Sequence, residues 1–433
     1  MKERRIQPTY VTAGINEDVP LCAEDVEIKL GGAVVIPKAA VMLRWLPRPR
    51  LRFAGSPSAL VLPGKVVAHG PMRMRGNGII TGFQESAGHA GVSREVWGSL
   101  LSLERKGNHR LVRVHFHLVN CGMCSTKNHR LELTGSAWRF TIDEAKNLQH
   151  LRRKLQAHGG YAITHCGLLE RVDGKSFSTR EADEALTGLN YFLSHIFGRW
   201  ISTSLEVGYS RSGDTVWERW KSPRVSPWSE VNTWYSWHTH PVGDELVGLY
   251  SLFESRWLCP DWRQLLRYYV PWHIASHTPV AEPALVTGQI ALEAAAKKWL
   301  FQHKQAFSKG KFDDLKAKGR IRELLQDMKV RPSIPRRLTA LRKFSRENGW
   351  SNDGPEVLAK LRNAIEHVKL ELFNSVPVQA WVEIKLLVMW YLDLAFLRVL
   401  GYNGTYLDRM KHFEVRQVPW APRRRTQRTP PQT

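Results

Sequence analysis

The apolar residues of this chain change their period once, near residues 221–227, and that change dictates a two-part fold. Upstream, Val26-Glu27-Ile28-Lys29-Leu30 and Leu111-Val112-Arg113-Val114-His115-Phe116-His117-Leu118-Val119 alternate apolar and polar positions, as half-buried strands require. Pro47-Arg48-Pro49 and Gly76-Asn77-Gly78 punctuate this stretch as turns. Helical signals interrupt it twice, over 143–158 and from the capping-box pattern Ser178-Thr179-Arg180-Glu181 to about Phe197. A strand-like stretch fills 161–169, and two more, 204–209 and 215–220, close the half. Downstream the period is helical nearly throughout, over 246–257, 262–277, 282–307, 312–328, 335–348, 355–373 and 378–400.

The expected class is therefore α+β: a β-rich N-terminal domain with two helices over 1–225, an all-α bundle over 226–415, and a basic disordered tail over 416–433. With 433 residues, 43% hydrophobic content and 17 Trp, both parts can bury proper cores. Lys and Arg outnumber Asp and Glu by 63 to 40, a surplus of +23, which favours a polyanionic partner through counterion release. Nucleic acid, and RNA in particular, is the expected one. The start Met1-Lys2-Glu3-Arg4-Arg5 leads into no apolar core, and no run of about 18 apolar residues occurs, so a soluble, cytoplasmic protein without a membrane partner is expected. Five irregularly spaced cysteines fit free thiols in a reducing compartment.

The segment that points to chemistry is Leu361-Arg362-Asn363-Ala364-Ile365-Glu366-His367. In one helix over 355–373, Leu358, Leu361, Ile365, Val368 and Leu372 form a stripe of roughly 60° that faces the core. Arg362, Asn363, Glu366 and His367 fall on the other side, with Asn363 and His367 one turn apart. Ala359, Leu370 and Phe373 share that nominally exposed side, a mixture that suits a second subunit better than water. Spacing alone proves little. Roughly one or two Arg-x4-His matches are expected by chance, and Arg110/His115 and Arg153/His158 are such matches. Arg362 and Glu366 can also form a plain exposed i,i+4 pair.

The Arg-Asn-x3-His pattern, placed on the next-to-last helix of an all-α C-terminal part, resembles the motif of HEPN domains. Trp272-His273, Gln289-Ile290-Ala291-Leu292-Glu293, Phe116-His117-Leu118-Val119-Asn120, Leu189-Asn190-Tyr191-Phe192-Leu193-Ser194 and Val216-Trp217-Glu218-Arg219-Trp220 are similar to the ApeA-like HEPN proteins of bacterial anti-phage defence. The resemblance implies an RNA endonuclease without metal or other cofactor, acting as a homodimer, with Arg362, Asn363 and His367 as its catalytic residues. It implies further that Glu293, on an earlier helix, engages the motif arginine. An ungated RNase would harm its host, so the N-terminal half is expected to be the regulatory part on which a trigger, such as a phage-derived activator, acts. The alternative is a nucleic-acid-binding or scaffold protein whose HEPN bundle is catalytically silent.

Three other patterns compete less well. Trp237-His238-Thr239-His240-Pro241 has the two histidines of a JAMM zinc peptidase, but Tyr250, Ser251 and Glu254 fall out of register for its Ser and Asp. Cys121-Gly122-Met123-Cys124 has zinc-knuckle spacing with no second pair to complete it. Trp228, Trp234, Trp237 and Trp257 can stack on bases, yet their spacing is that of core residues.

Overall fold

The computed structural model describes every residue outside 1–4, 11–13, 30–32, 56–70, 76–78, 81, 90–95, 101, 107–109, 123–128, 236–243 and 423–433. The chain is mixed α and β, with antiparallel sheets first and helices after. It divides into one unit of residues 1–231 with 241–255 and another of 232–240 with 256–433.

In the first unit the strands β1 (Val19–Lys29), β2 (Ala33–Arg44), β3 (Arg50–Gly55), β4 (Pro71–Arg75), β5 (Ile79–Ile80), β6 (Gly82–His89), β7 (Val96–Leu100) and β8 (Ser102–Lys106) come first. Next are β9 (Arg113–Val119), β10 (Arg130–Thr134), β11 (Trp138–Glu144), helix α1 (Leu148–His158), β12 (Ile163–Arg171), α2 (Thr179–Phe197), β13 (Ser202–Tyr209) and β14 (Thr215–Lys221). A closed barrel runs β1-β2-β3-β7-β6-β4, and an eight-stranded sheet runs β10-β11-β12-β9-β13-β14-β8-β5. The capping box at α2 is present: the Ser178 hydroxyl accepts from the Glu181 N–H while Glu181 reaches back to the Ser178 N–H, and Gly198 ends the helix at φ 62°. Gly167 on β12 leaves room for the ring of Phe116, which a Cβ there would meet at 2.3 Å.

Register aligns Arg130, Asp143, Cys166, His117 and Ser204 in one row across β10, β11, β12, β9 and β13, so their side chains share a face. Arg130 chelates Asp143 with two bonds, 2.7 and 3.0 Å. The N-terminal segment lies across the row, with the Ile6 N–H donating to Asp143 at 2.7 Å and the Tyr10 ring edge-on to His117 at 5.9 Å. Burial, with the Asp143 charge added, pushes the Cys166 thiol up to about 12, so it is an inert thiol. Burial also drives His117 down to about 4, against the backbone of Leu205 and the Glu206 carboxylate, which pull the other way. A histidine kept neutral by the fold contributes stability that is complete above its unfolded pKa near 6.5 and is lost as pH falls through about 4, roughly 3 kcal/mol in all. Replacing His117 with Gln should therefore flatten the loss of stability of the N-terminal unit between pH 7 and pH 4 by about that amount, measured by urea unfolding at the two pH values. An unchanged slope would show that the imidazole is not held neutral.

The second unit is helical. Its elements are α3 (Asp244–Leu258, which starts in the first unit), α4 (Pro260–Ala275), α5 (Ala281–Ala296) with a π-helical turn (Lys297–His303), α6 (Lys309–Asp314), α7 (Lys316–Asp327), α8 (Thr339–Glu347), α9 (Gly354–Glu366), α10 (Leu370–Ser375) and α11 (Val378–Leu400), then a hairpin of β15 (Thr405–Asp408) and β16 (Glu414–Gln417) around a 3-10 turn. The Glu254 carboxylate on α3 accepts the N–H groups of Ala137 (3.2 Å) and Trp138 (2.9 Å), and that bond ties the first part of α3 to the β10–β11 turn. α11 is buried along almost its whole length. α5 packs against it through Gly288, where a Cβ would stand 2.7 Å from Val388. No helix among the described residues is long and apolar enough to cross a membrane.

Three expectations need correction. The helix expected over 355–373 is two helices, since α9 stops at Glu366 and α10 restarts at Leu370. The tail does not begin at 416: Val418 and Trp420 are buried, and the Trp420 indole donates to the Tyr402 carbonyl at 2.8 Å. Only 423–433 of it, like Cys124, Trp237, His238, His240 and the Gly76-Asn77-Gly78 turn, lies outside the described residues. The division of the chain falls after Val231 rather than at 225, and 241–255 return to the first unit.

The hairpin is fixed to the bundle by charge. Arg409, nearly inaccessible, places Nε 2.5 Å from Asp393 on α11 and donates from Nη2 to the Asn232 carbonyl at 2.7 Å. Removing one partner of such a pair strands the other charge in the interior. Asp393→Ala is expected to cost about 3–5 kcal/mol in denaturant unfolding of the C-terminal unit, and a loss under about 1 kcal/mol would contradict this reading of the pair.

Candidate functional site

The helix that carries the motif is held at its start. Asp353 caps α9, its carboxylate accepting the Glu356 N–H at 2.8 Å, and Pro355 stands in the first turn. Arg322 on α7 grips the same carboxylate with two bonds of 3.0 and 3.1 Å. Leu358 and Leu361 then face the core as the apolar stripe predicts, joined by Val357 and Ala364, which lie outside that stripe, while Ile365 is only half-buried.

The end of α9 departs from the expected geometry. His367 takes the C-cap position, its N–H bonding back to the Asn363 carbonyl at 3.0 Å, so the last turn still closes. Val368 follows with φ 52°, and the Lys369 N–H reaches the Ala364 carbonyl at 2.9 Å. That is a left-handed helix stop of the kind glycine usually provides; a β-branched residue there is strained. Val368 and Leu372 therefore leave the core stripe: Val368 is 69% exposed and Leu372 half-buried. Leu370 is 59% exposed, α10 buries none of its residues, and Val378 and Val382 at the start of α11 are exposed as well. Phe373 packs its ring against Trp381 at 5.4 Å.

Asn363 and His367 are exposed, and Arg362 is half-buried between them and the core. The Arg362 Nη1 lies 2.5 Å from Glu366 Oε2 and donates to Asn363 Oδ1 at 3.2 Å, while its Nε is buried with no hydrogen-bond partner. The His367 ring makes no hydrogen bond or ion pair among the described residues. Three of the four expected site residues are thus gathered at one exposed helix end. Glu293 is not joined to them through its contacts: it accepts from Gln289 at 2.9 Å and pairs with Arg320 of α7 at 3.7 Å. The motif arginine pairs instead with Glu366, a residue of the same helix.

Among the described residues no group of three or more His, Cys, Asp or Glu is arranged to hold a metal ion. Cys121 is buried, and its backbone N–H donates to the Thr164 hydroxyl at 2.9 Å. Trp234 and Trp257 are buried, and Trp228 lies under the Arg199 guanidinium at 4.5 Å, so these indoles are engaged within the fold.

Residues 106–231 match the YopA central domain and residues 259–419 the YopA C-terminal domain. The chain is similar to YopA proteins. The two matched segments fall on either side of the division found in the fold, and the second ends at Pro419, one residue before the buried Trp420. A protein of Bacillus subtilis (strain 168), the SPbeta prophage-derived uncharacterized protein YopA, is 26% identical over 435 residues, covering 95% of this chain and 96% of its own. No solved structure matches.

The strained stop beside His367 can be measured. Val368→Gly is expected to stabilise the C-terminal unit by about 1 kcal/mol in urea unfolding, because glycine adopts the left-handed conformation without the side-chain penalty. Destabilisation by the same change would show that the helix does not end there.

Proposed function

We propose that this protein is a metal-independent RNA endonuclease of the HEPN type, acting as a homodimer in bacterial defence, with Arg362, Asn363 and His367 as its catalytic residues. The observation that carries the reading is the gathering of these three side chains at the exposed end of α9, bordered in sequence by the exposed apolar residues Val368 and Leu370. The YopA name brings no activity with it, so the catalytic reading rests on the motif and its surroundings. The prophage origin of the Bacillus relative suits a role in conflict between phage and host, with a phage-derived activator acting through the N-terminal unit.

The chemistry follows from the groups present. The RNA 2′-hydroxyl attacks its own phosphorus as the His367 imidazole accepts its proton, and the Arg362 guanidinium balances the charge that builds on the phosphorane oxygens. The 5′-oxygen leaves with a proton, giving a 2′,3′-cyclic phosphate and a 5′-hydroxyl. One imidazole cannot accept and donate in the same step, so His367 of the partner subunit supplies that proton. Asn363 orients the phosphate or the guanidinium. Arg362 must first exchange Glu366 for phosphate, and a half-exposed pair within one helix is worth only about 0.3–0.5 kcal/mol, so the exchange is cheap.

That same ion pair favours the second reading, a catalytically silent RNA-binding or scaffold protein, since the guanidinium already has a carboxylate. Incubating RNA in EDTA with the wild type and with His367→Ala separates the two. The enzyme reading expects cleavage by the wild type and a drop of at least about 100-fold in the variant. Equal cleavage by both refutes the role of His367, and salt-sensitive RNA binding without cleavage by either supports the silent reading.

A further inference from the structure

A second site lies on α8, independent of the cleavage motif. Leu341, Phe344 and Ser345 turn inward from this helix, and the following loop folds back over it. Gly349, at φ 64°, makes the turn; the Trp350 N–H donates to the Ser345 carbonyl at 2.9 Å, and the Ser345 hydroxyl donates to the Ser351 carbonyl at 3.0 Å. The result is a cavity of about 410 Å³ lined by Thr339, Arg342, Ser345, Arg346, Trp350 and Asn352. The indole is held from behind, edge-on to Phe344 at 5.5 Å and with the Lys360 ammonium 4.8 Å from the centre of its ring.

The two arginines of this cavity differ from those that tie the helices of the unit together. Arg320, Arg322, Arg362, Arg398 and Arg409 each pair with a carboxylate. Among the described residues Arg342 and Arg346 have none, and the Arg342 Nε is buried without a hydrogen-bond partner. They stand one turn apart on α8 and so project side by side. A fork of N–H donors without an internal acceptor is matched by a phosphate, which takes two such bonds from each guanidinium. An indole in the same wall offers a surface for a planar ring, and the Asn352 amide and Thr339 hydroxyl offer both donors and acceptors to its edge. The volume falls in the range of small-molecule sites.

We propose that this cavity binds one nucleotide, its phosphate on Arg342 and Arg346 and its base against Trp350. The nucleotide is either free or one unit of a single-stranded RNA. The proposal does not rest on cleavage at Arg362, and its test is made in the His367→Ala protein so that RNA stays intact. Equilibrium dialysis measures binding of the four nucleoside monophosphates, of a single-stranded RNA pentamer and of inorganic phosphate. The monophosphates or the pentamer are expected to bind at least tenfold more tightly than phosphate, and Arg342→Gln with Arg346→Gln, in protein of unchanged circular dichroism and melting, to weaken that binding at least tenfold. Saturation by monophosphates that also displaces the pentamer identifies the free nucleotide as a ligand, whereas binding of the pentamer alone identifies the strand. Binding of no nucleotide, affinity equal to that of inorganic phosphate, or binding indifferent to the double substitution overturns the proposal.

Discussion

Burial of α11 is the constraint on which the C-terminal unit depends. Seventeen of its 23 residues are buried, so every helix around it must turn its apolar face inward and leave its polar face to solvent. Gly288 allows the backbone of α5 to approach Val388 closely, and Asp393 on the same helix anchors the C-terminal hairpin through Arg409. α9 has to follow the same rule. With Leu358 and Leu361 committed to the core, Asn363 and His367 can only face outward, and Arg362 lies at the boundary. The motif is thus exposed because the core needs the other side of its helix.

Charge is distributed to the same effect. Several arginines of this unit are held by carboxylates of other elements: Arg322 at the cap of α9, Arg398 at Asp327, Arg409 at Asp393. These pairs link one element to another and contribute to the fold. Others are not committed in this way. Arg362 is restrained by a half-exposed carboxylate and a side-chain amide of its own helix, and Arg342 with Arg346 face a polar cavity. A formal surplus of +23 draws polyanions to the whole surface, and loosely held donors can bind a phosphate without dismantling the fold.

Much of the fold could be read from the residues. The switch from period two to helical period near 221–227 separates the sheets from the bundle, the capping box at Ser178 starts α2 where expected, and α11 has the expected bounds. The stop after Glu366 could not be read, because the left-handed residue is Val368 where a glycine would have announced it. The packed hairpin and Trp420 escaped notice because their partners, Asn232 and Tyr402, are distant or non-periodic. The pairing of Glu293 with Arg320 joins two helices that no sequence spacing relates, so resemblance alone points it to the motif arginine. The pair Arg342 and Arg346 with Gly349-Trp350 behind it was legible as a one-turn basic spacing beside a turn and an indole, a signal easily lost among so many basic residues.

The chemistry proposed for Arg362 and His367 leaves a mark on the RNA itself. Mass spectrometry of the ends of RNA fragments produced by the purified protein tests it most directly. Attack by the 2′-hydroxyl predicts 2′,3′-cyclic phosphate and 5′-hydroxyl termini, and fragments ending in 3′-hydroxyl and 5′-phosphate would contradict it.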